Sequence, residues 1–290
     1  MDKLKKMGKS FGDRYGKFFV DAGPCPICGQ EMFYWKNKDK NNKRSTAPVC
    51  PNCSYTDMTK RNDQKIQKKS VEAKRAAAIN RMKSNSVVTD TTAWNYEFSN
   101  YIVCDEETRI AKKKAEYWVS CILKKEPIHA LLTGKPGVGK THLSFAMVNA
   151  VTKQSDYKMS CLVISYRELL EQMKIGLNDS EVYKAIQQSV ISDLKKVDFV
   201  IVDDLGAELG KITAPSQPTN YNLDTLTSLV EARMNKATIF TSNLNSKQML
   251  DLYGERIVSR IMSSATNQGQ INAFRFKQTE DKRMGGVKWN

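Results

Sequence analysis

Gly134-Lys135-Pro136-Gly137-Val138-Gly139-Lys140-Thr141 fits G-x-x-x-x-G-K-[ST] at every fixed position. Glycines let the backbone wrap closely, so that successive N–H groups converge on the phosphates of a nucleoside triphosphate. Lys140 aims a point charge at those phosphates, and the Thr141 hydroxyl is a ligand for Mg2+. The flanks agree with the motif. Ile128 to Thr133 reads as a short buried strand leading in, and Leu143 to Val151 as the helix whose N-terminus faces the anion. ATP with Mg2+ is therefore the expected ligand, held by residues 134–141 together with His142.

Further along, Phe199-Val200-Ile201-Val202 is an apolar run ending in Asp203 and Asp204. A parallel strand delivers its C-terminal residues to the sheet edge where phosphate loops gather. At that edge Asp203 is expected to join Thr141 in holding Mg2+, and Asp204 to orient or deprotonate the attacking water. Thr238 to Asn243 is another apolar strand with a polar end, which puts Asn243 beside the γ-phosphate. Arg256 and Arg260 stand four apart, on one helix face. Taken singly, these last features read equally as a capping Asn, a surface ion pair and, for Asp281-Lys282-Arg283, a charged tail.

Cys161–Ile164 adds a strand, Tyr166–Lys174, 180–195 and Leu223–Met234 add helices, and two short helices at Ser246–Leu252 and Gly254–Ser263 precede a strand near Ile271–Phe276. Strands alternating with helices predict an α/β domain, a parallel sheet with helices on both faces, over residues 94–290.

The N-terminal third has another character. Residues 1–92 carry 20 Lys/Arg against 9 Asp/Glu, whereas residues 93–290 carry 26 against 22. The positive field is thus concentrated, which suggests a polyanion partner such as nucleic acid, or else a solvated basic linker. Cys25-x2-Cys28 and Cys50-x2-Cys53, separated by 21 residues, form two knuckles at nearly the spacing of a four-thiolate zinc site. A small zinc-ribbon-like module is expected over residues 1–57, with a strand at Met32–Trp35. Thr59 to Ser84 has nine Lys/Arg, two acids and no aromatic, Gly or Pro, which predicts a basic helix within a linker over residues 58–93. Residues 84–92 read as a hinge. Cys104, Cys121 and Cys161 lie singly and read as core thiols. No run approaches the ~18 apolar residues of a membrane span. The start has charge without an apolar core, so no secretory leader and no membrane are expected, and the location is read as cytoplasmic.

Gly134 to His142, Asp203 to Glu208, Thr241 to Leu244 and Gly254 to Ile261 together resemble the DnaC/DnaI-type AAA+ replicative helicase loaders, bacterial or phage-encoded, as does Phe98 to Tyr101 upstream. The resemblance implies an AAA+ P-loop ATPase that hydrolyses ATP slowly, as a switch. It implies a DnaB-type hexameric helicase and single-stranded DNA as partners, and self-association through the AAA+ domain. Asn243 then corresponds to the residue that senses the γ-phosphate and Arg260 to the arginine finger. Arg283 corresponds to a second sensor on the nucleotide. Lys174, Lys184, Lys195 and Lys196 would suit a DNA backbone, as equally they suit a solvated face. Many such loaders grip the helicase with a helical segment, and here a four-cysteine module holds that place. An IstB-like transposition helper shares the ATPase core and remains the alternative. A small-molecule P-loop kinase has no required place for Asn243 or the arginine pair.

Overall fold

The structure is a computed structural model that describes residues 16–38, 46–54, 57–174, 180–210, 216–263, 266–267 and 270–282. Its contacts divide the chain between Lys74 and Arg75 into two units.

In the first unit β1 (Phe19–Pro24) and β2 (Glu31–Trp35) pair antiparallel, with Phe19 opposite Trp35 and their rings 4.7 Å apart. Val49 bridges to Phe33, which brings the second cysteine knuckle onto the hairpin. Met32 packs with Cys25 and Cys50 into a small core. So little apolar burial needs a cross-link to hold it. Strand β1 lies in a stretch that the sequence reading left unassigned. Helix α1 (Asp57–Asn85) is the basic helix expected at Thr59–Ser84.

The second unit is built on a five-stranded parallel sheet in the order β4 (Cys161–Ser165), β5 (Phe199–Leu205), β6 (Ala237–Ser242), β3 (His129–Thr133), β9 (Ala273–Arg275). Side chains alternate between faces along each strand. Ala130, Leu132, Val163 and Ile201 pack on one face with α2 (Glu106–Leu123) and α3 (Lys140–Gln154). Leu131, Ile164, Val200 and Phe240 pack on the other with α4 (Tyr166–Lys174), α6 (Asn220–Ala232) and α7 (Ser246–Ser263). Leu194 of α5 (Ser180–Lys196) joins that second core. Burial on both faces is why these strands read as continuous apolar runs rather than as alternating ones. The fold is therefore the expected α/β architecture, a parallel sheet with helices on both faces.

Two local features differ from expectation. Residues 84–92 are not a free hinge: Val87 N–H donates to the Val163 carbonyl at 2.9 Å, and Ser165 N–H donates to that of Val87 at 2.8 Å. A β-branched residue thus extends the sheet edge beside β4, and Met82 is buried in the core on the α2 and α3 face. The two helices expected at 246–252 and 254–263 are the two halves of α7, which is broken at Gly254, whose φ of 77° is left-handed. A short antiparallel pair, β7 (Thr266–Asn267) and β8 (Gln270–Ile271), precedes β9. Arg233, fully buried at the end of α6, was also not singled out. Its guanidinium donates to the carbonyls of Leu194, Val197, Asp198 and Ala237, tying α5, β5 and β6 together.

Candidate nucleotide-binding site

The C-terminal ends of β3, β5 and β6 are neighbours in the sheet, so the residues that follow them converge. The loop after β3 turns at Gly137 and Gly139, with φ of 79° and 101°. A Cβ at Gly137 would lie 1.7 Å from an Asp281 carboxylate oxygen, and one at Gly139 would lie 2.9 Å from the Tyr101 ring. Only glycine fits either position. Lys135 and Pro136 are exposed at the loop tip, and Val138 is buried beneath it.

Lys140 starts α3, and its ammonium donates to the carbonyls of Gly134 (2.8 Å) and Lys135 (2.9 Å) and to Asn243 Oδ1 (2.7 Å). Asn243 Nδ2 in turn donates to Asp204 at 2.6 Å. Thr141 Oγ1 donates to Asp203 at 3.1 Å, and Thr241 Oγ1 donates to its other oxygen at 2.6 Å. The Asp204 N–H donates to Thr241 Oγ1 at 2.8 Å, and Asp204 sits at a left-handed φ of 60°. Five of the expected residues therefore form one network: Lys140, Thr141, Asp203, Asp204 and Asn243. Thr241, which ties the Asp203 carboxylate to the Asp204 backbone N–H, was missed. Its position two residues before Asn243 on the same strand places both at the polar end, and that spacing was the available signal.

The network borders a cavity of about 450 Å3 that is also lined by Tyr101, Ile102, Pro136 and Lys282. Burial pushes the Asp203 carboxyl above the usual range, and the adjacent Asp204 adds to this, against hydrogen bonds from Thr241 and Thr141 and the charge of Lys140. The native state therefore holds this proton to higher pH than the unfolded chain does. Stability from this group is lost as pH rises from the ordinary carboxylate range through the raised value, so above that range Asp203 is a net cost. Asp203→Asn is expected to raise the thermal midpoint of the nucleotide-free protein at pH 7 by about 3 °C, for a gain of about 1 kcal/mol. It should also weaken Mg2+-dependent ATP binding. Calorimetry showing an unchanged or lower midpoint would contradict this.

His142 also borders the cavity, but its ring stacks on Tyr96 with centroids 4.4 Å apart. Its Nε2 lies 3.1 Å from the Glu97 carbonyl and 3.0 Å from Asn100 Oδ1. Burial lowers its pKa, so the ring is neutral at pH 7. That nitrogen is engaged with the segment leading into the domain, in contrast to the nucleotide contact expected of it.

The C-terminal segment reaches the loop by a route that the sequence did not disclose. Glu107 near the start of α2 accepts the N–H groups of Lys277, Gln278 and Thr279 and the Thr279 hydroxyl. Lys282 N–H then donates to the Gly137 carbonyl at 3.1 Å. Its ammonium lies 4.0 Å from the centroid of the Tyr101 ring and donates to the Ile102 carbonyl at 2.7 Å. Arg283, expected at the nucleotide, lies outside the described residues.

A model for the family described as IstB-like ATP binding protein matches residues 54–266. The chain belongs to the IstB-like ATP-binding family. The Replicative helicase loader DnaC of Escherichia coli K12 is 26% identical over 169 residues, 58% of this chain and 63% of the relative. The DnaC of Buchnera aphidicola subsp. Acyrthosiphon pisum is 25% identical over 170 residues. The match thus spans about 63% of the length of these curated relatives. Among solved structures, that of the DnaC helicase loader superposes with a TM-score of 0.52 at 18% identity, covering 65% of this chain and all of that one. The DnaI structure superposes with a TM-score of 0.51 at 23% identity, covering 68% of this chain and 96% of that one. Both likenesses are of fold.

Within this IstB-like domain, neither Arg256 nor Arg260 lines the cavity. Their guanidinium groups lie 3.7 and 3.3 Å from Glu231 on α6, the ion pair that the sequence left open. Lys174 and Lys196 pair with Glu171 and Asp193 on their own helices, and the side chain of Lys184 lies outside those described. The cysteine knuckles precede the span of the family match. The sulfurs of Cys25, Cys28, Cys50 and Cys53 all lie within 4.8 Å of one another. Cys25–Cys53 and Cys28–Cys50 are separated by 3.6 and 3.5 Å. Four thiolates on one tetrahedral zinc stand about 3.8 Å apart, so the set fits that ion. The Asn52 side chain and the Gln30 backbone lower the Cys28 thiol to about 6, towards the thiolate that a metal requires. Among the described residues, no helix is long and apolar enough to cross a membrane.

Proposed function

We propose that the chain is an ATP-dependent loader of a DnaB-type hexameric helicase onto single-stranded DNA, acting in the bacterial cytoplasm during replication initiation or restart. The observation that carries this is the joined set Lys140–Asn243–Asp204 and Thr141–Asp203 in a domain similar in sequence to DnaC.

In this reading residues 134–141 cradle the phosphates, and Lys140 exchanges its carbonyl partners for them. Thr141 and Asp203 would hold Mg2+, which neutralises phosphate charge when bound. Asp204 orients the attacking water, and Asn243, already bonded to both Lys140 and Asp204, senses the γ-phosphate. Arg260 serves the nucleotide of a neighbouring subunit, which accounts for its distance from the cavity of its own chain. Tyr101 and Lys282 border the same cavity. Hydrolysis is slow and resets the complex. We assign residues 1–57 to a zinc module, 58–93 to a basic linker and 94–290 to the ATPase, with the linker's positive charge offered to DNA phosphates.

Zinc on the four cysteines would supply the cross-link that the small first unit lacks. Cys25→Ser is therefore expected to lose one bound zinc per chain and to loosen residues 21–57, while the ATPase unit keeps its thermal transition. Metal analysis and proteolysis check this, and a zinc-free parent with four reactive thiols would refute it.

The family description favours a second reading, an IstB-like transposition helper acting on duplex target DNA. Capture of host proteins on the full chain, with and without ATP, separates the two. Recovery of the replicative helicase supports the loader, and recovery of a transposase without helicase overturns it.

A further inference from the structure

Beyond the nucleotide network, one buried contact joins the loop after β5 to the helix that carries the arginines. Glu208 lies five residues after Asp203, in a short turn at Ala207–Leu209. Its Oε2 accepts the Gly206 N–H at 2.9 Å, which fastens it to the backbone next to the carboxylates. Its Oε1 accepts the Tyr253 hydroxyl at 2.5 Å, and Tyr253 is only 3% exposed. The loop itself cannot shift freely. A Cβ at Gly206 would lie 2.7 Å from the Leu244 side chain, and Ser242 Oγ donates to the Leu205 carbonyl at 2.6 Å. Leu244 follows Asn243, so the turn rests on the strand end that touches Lys140.

Tyr253 is the last residue before the break at Gly254. A glycine at φ 77° leaves the direction of the second half of α7 weakly fixed by local geometry. Where that half starts is set by the residue anchored in front of the break. Its far end is held separately, since His129 Nδ1 lies 3.3 Å from the Arg260 carbonyl. Burial raises the Glu208 carboxyl and the Tyr253 phenol alike, so moving either apart would leave a buried polar group without its partner.

We propose that Glu208 and Tyr253 are a positioning pair that ties the Asp203–Asp204 loop to the second half of α7 and so places Arg260 for the neighbouring subunit. This rests on the proposed trans role of Arg260 and adds the device that connects a subunit's own nucleotide site to the arginine it lends. Neither residue of the pair lines the cavity.

The test measures donation of the arginine alone. Arg260→Ala subunits keep their own site and depend on a neighbour's arginine. Asp204→Asn subunits cannot hydrolyse but lend one. Adding Tyr253→Phe to the Asp204→Asn donor should cut the turnover restored to Arg260→Ala by at least about tenfold, since a displacement near 1 Å costs a reacting group about a hundredfold. Fluorescent ATP-analogue affinity of the doubly substituted donor should equal that of the Asp204→Asn donor, which a general loss of folding would not allow. Glu208→Gln in the same donor keeps an acceptor for the phenol and should restore more turnover than Glu208→Ala. Full donation by the Tyr253→Phe donor overturns the positioning role while leaving the arginine reading intact. Loss of donation with an equal loss of analogue affinity assigns the pair to stability and also overturns it. Failure of the Asp204→Asn donor itself, with co-assembly demonstrated, removes the trans arginine and this proposal with it.

Discussion

Arg260→Ala is expected to bind ATP as the parent does and to hydrolyse it about a thousandfold more slowly, the scale on which an arginine finger acts. The geometry makes the prediction sharp. Arg260 is 3.3 Å from Glu231 and lines no part of its own chain's cavity, so its loss removes nothing from ATP binding in cis. Its side chain is 26% exposed and that of Glu231 46%. A pair so open to water is worth at most about 1 kcal/mol, too little to unfold the domain. An effect of three orders of magnitude on turnover, at unchanged thermal midpoint and affinity, would therefore come from a second subunit. Turnover per chain should also rise with protein concentration. Dilution-independent hydrolysis, or an Arg260→Ala variant as active as the parent, would leave Arg260 as the partner of Glu231 alone.

Lys140→Ala carries the other large effect. Lys140 is 6% exposed and its ammonium donates to three oxygen acceptors, so it is held at the loop before any phosphate arrives. Phosphate exchanges neutral acceptors for an anion and makes the contact charge-assisted. Removing one member of such a desolvated pair costs about 3 kcal/mol, a loss of about a hundredfold in ATP affinity. The apo fold should survive, because the helix following the loop is anchored by Leu143, Phe145 and Met147 in the core. Titration with a fluorescent ATP analogue checks this, and equal affinity in variant and parent would sink the phosphate-loop assignment.

Much of the fold could be read because its signals are local. The doubly buried strands Phe199–Val202 and Thr238–Thr241 are apolar on both faces and end in polar residues at the sheet's functional edge. Asp203, Asp204 and Asn243 belong to such strand ends and Lys140 and Thr141 to the helix start of the phosphate-loop motif, and the structure brings them together. Contacts between distant stretches left no such trace. Glu107 and Thr279 are 172 positions apart, and nothing near either marks a carboxylate that accepts three consecutive N–H groups. That clamp holds the segment whose Lys282 reaches Tyr101, a contact that no local pattern marks. Val87 was read as hinge because one β-branched pair is too short to give a strand period, and only the open edge of β4 reveals its role. His142 extends the loop motif, but a stacked Tyr96, 46 residues upstream, turns its ring towards the lead-in segment.

The central claim is that ATP held by this chain places a hexameric helicase on single-stranded DNA. The most direct measurement is the amount of DnaB-type helicase that remains on a closed single-stranded DNA circle after a high-salt wash, with the chain and ATP present or omitted. The account predicts helicase retained on the circle only when chain and ATP are both present, and not with Lys140→Ala. Retention that is the same with Lys140→Ala, or the same with no chain added, would contradict it.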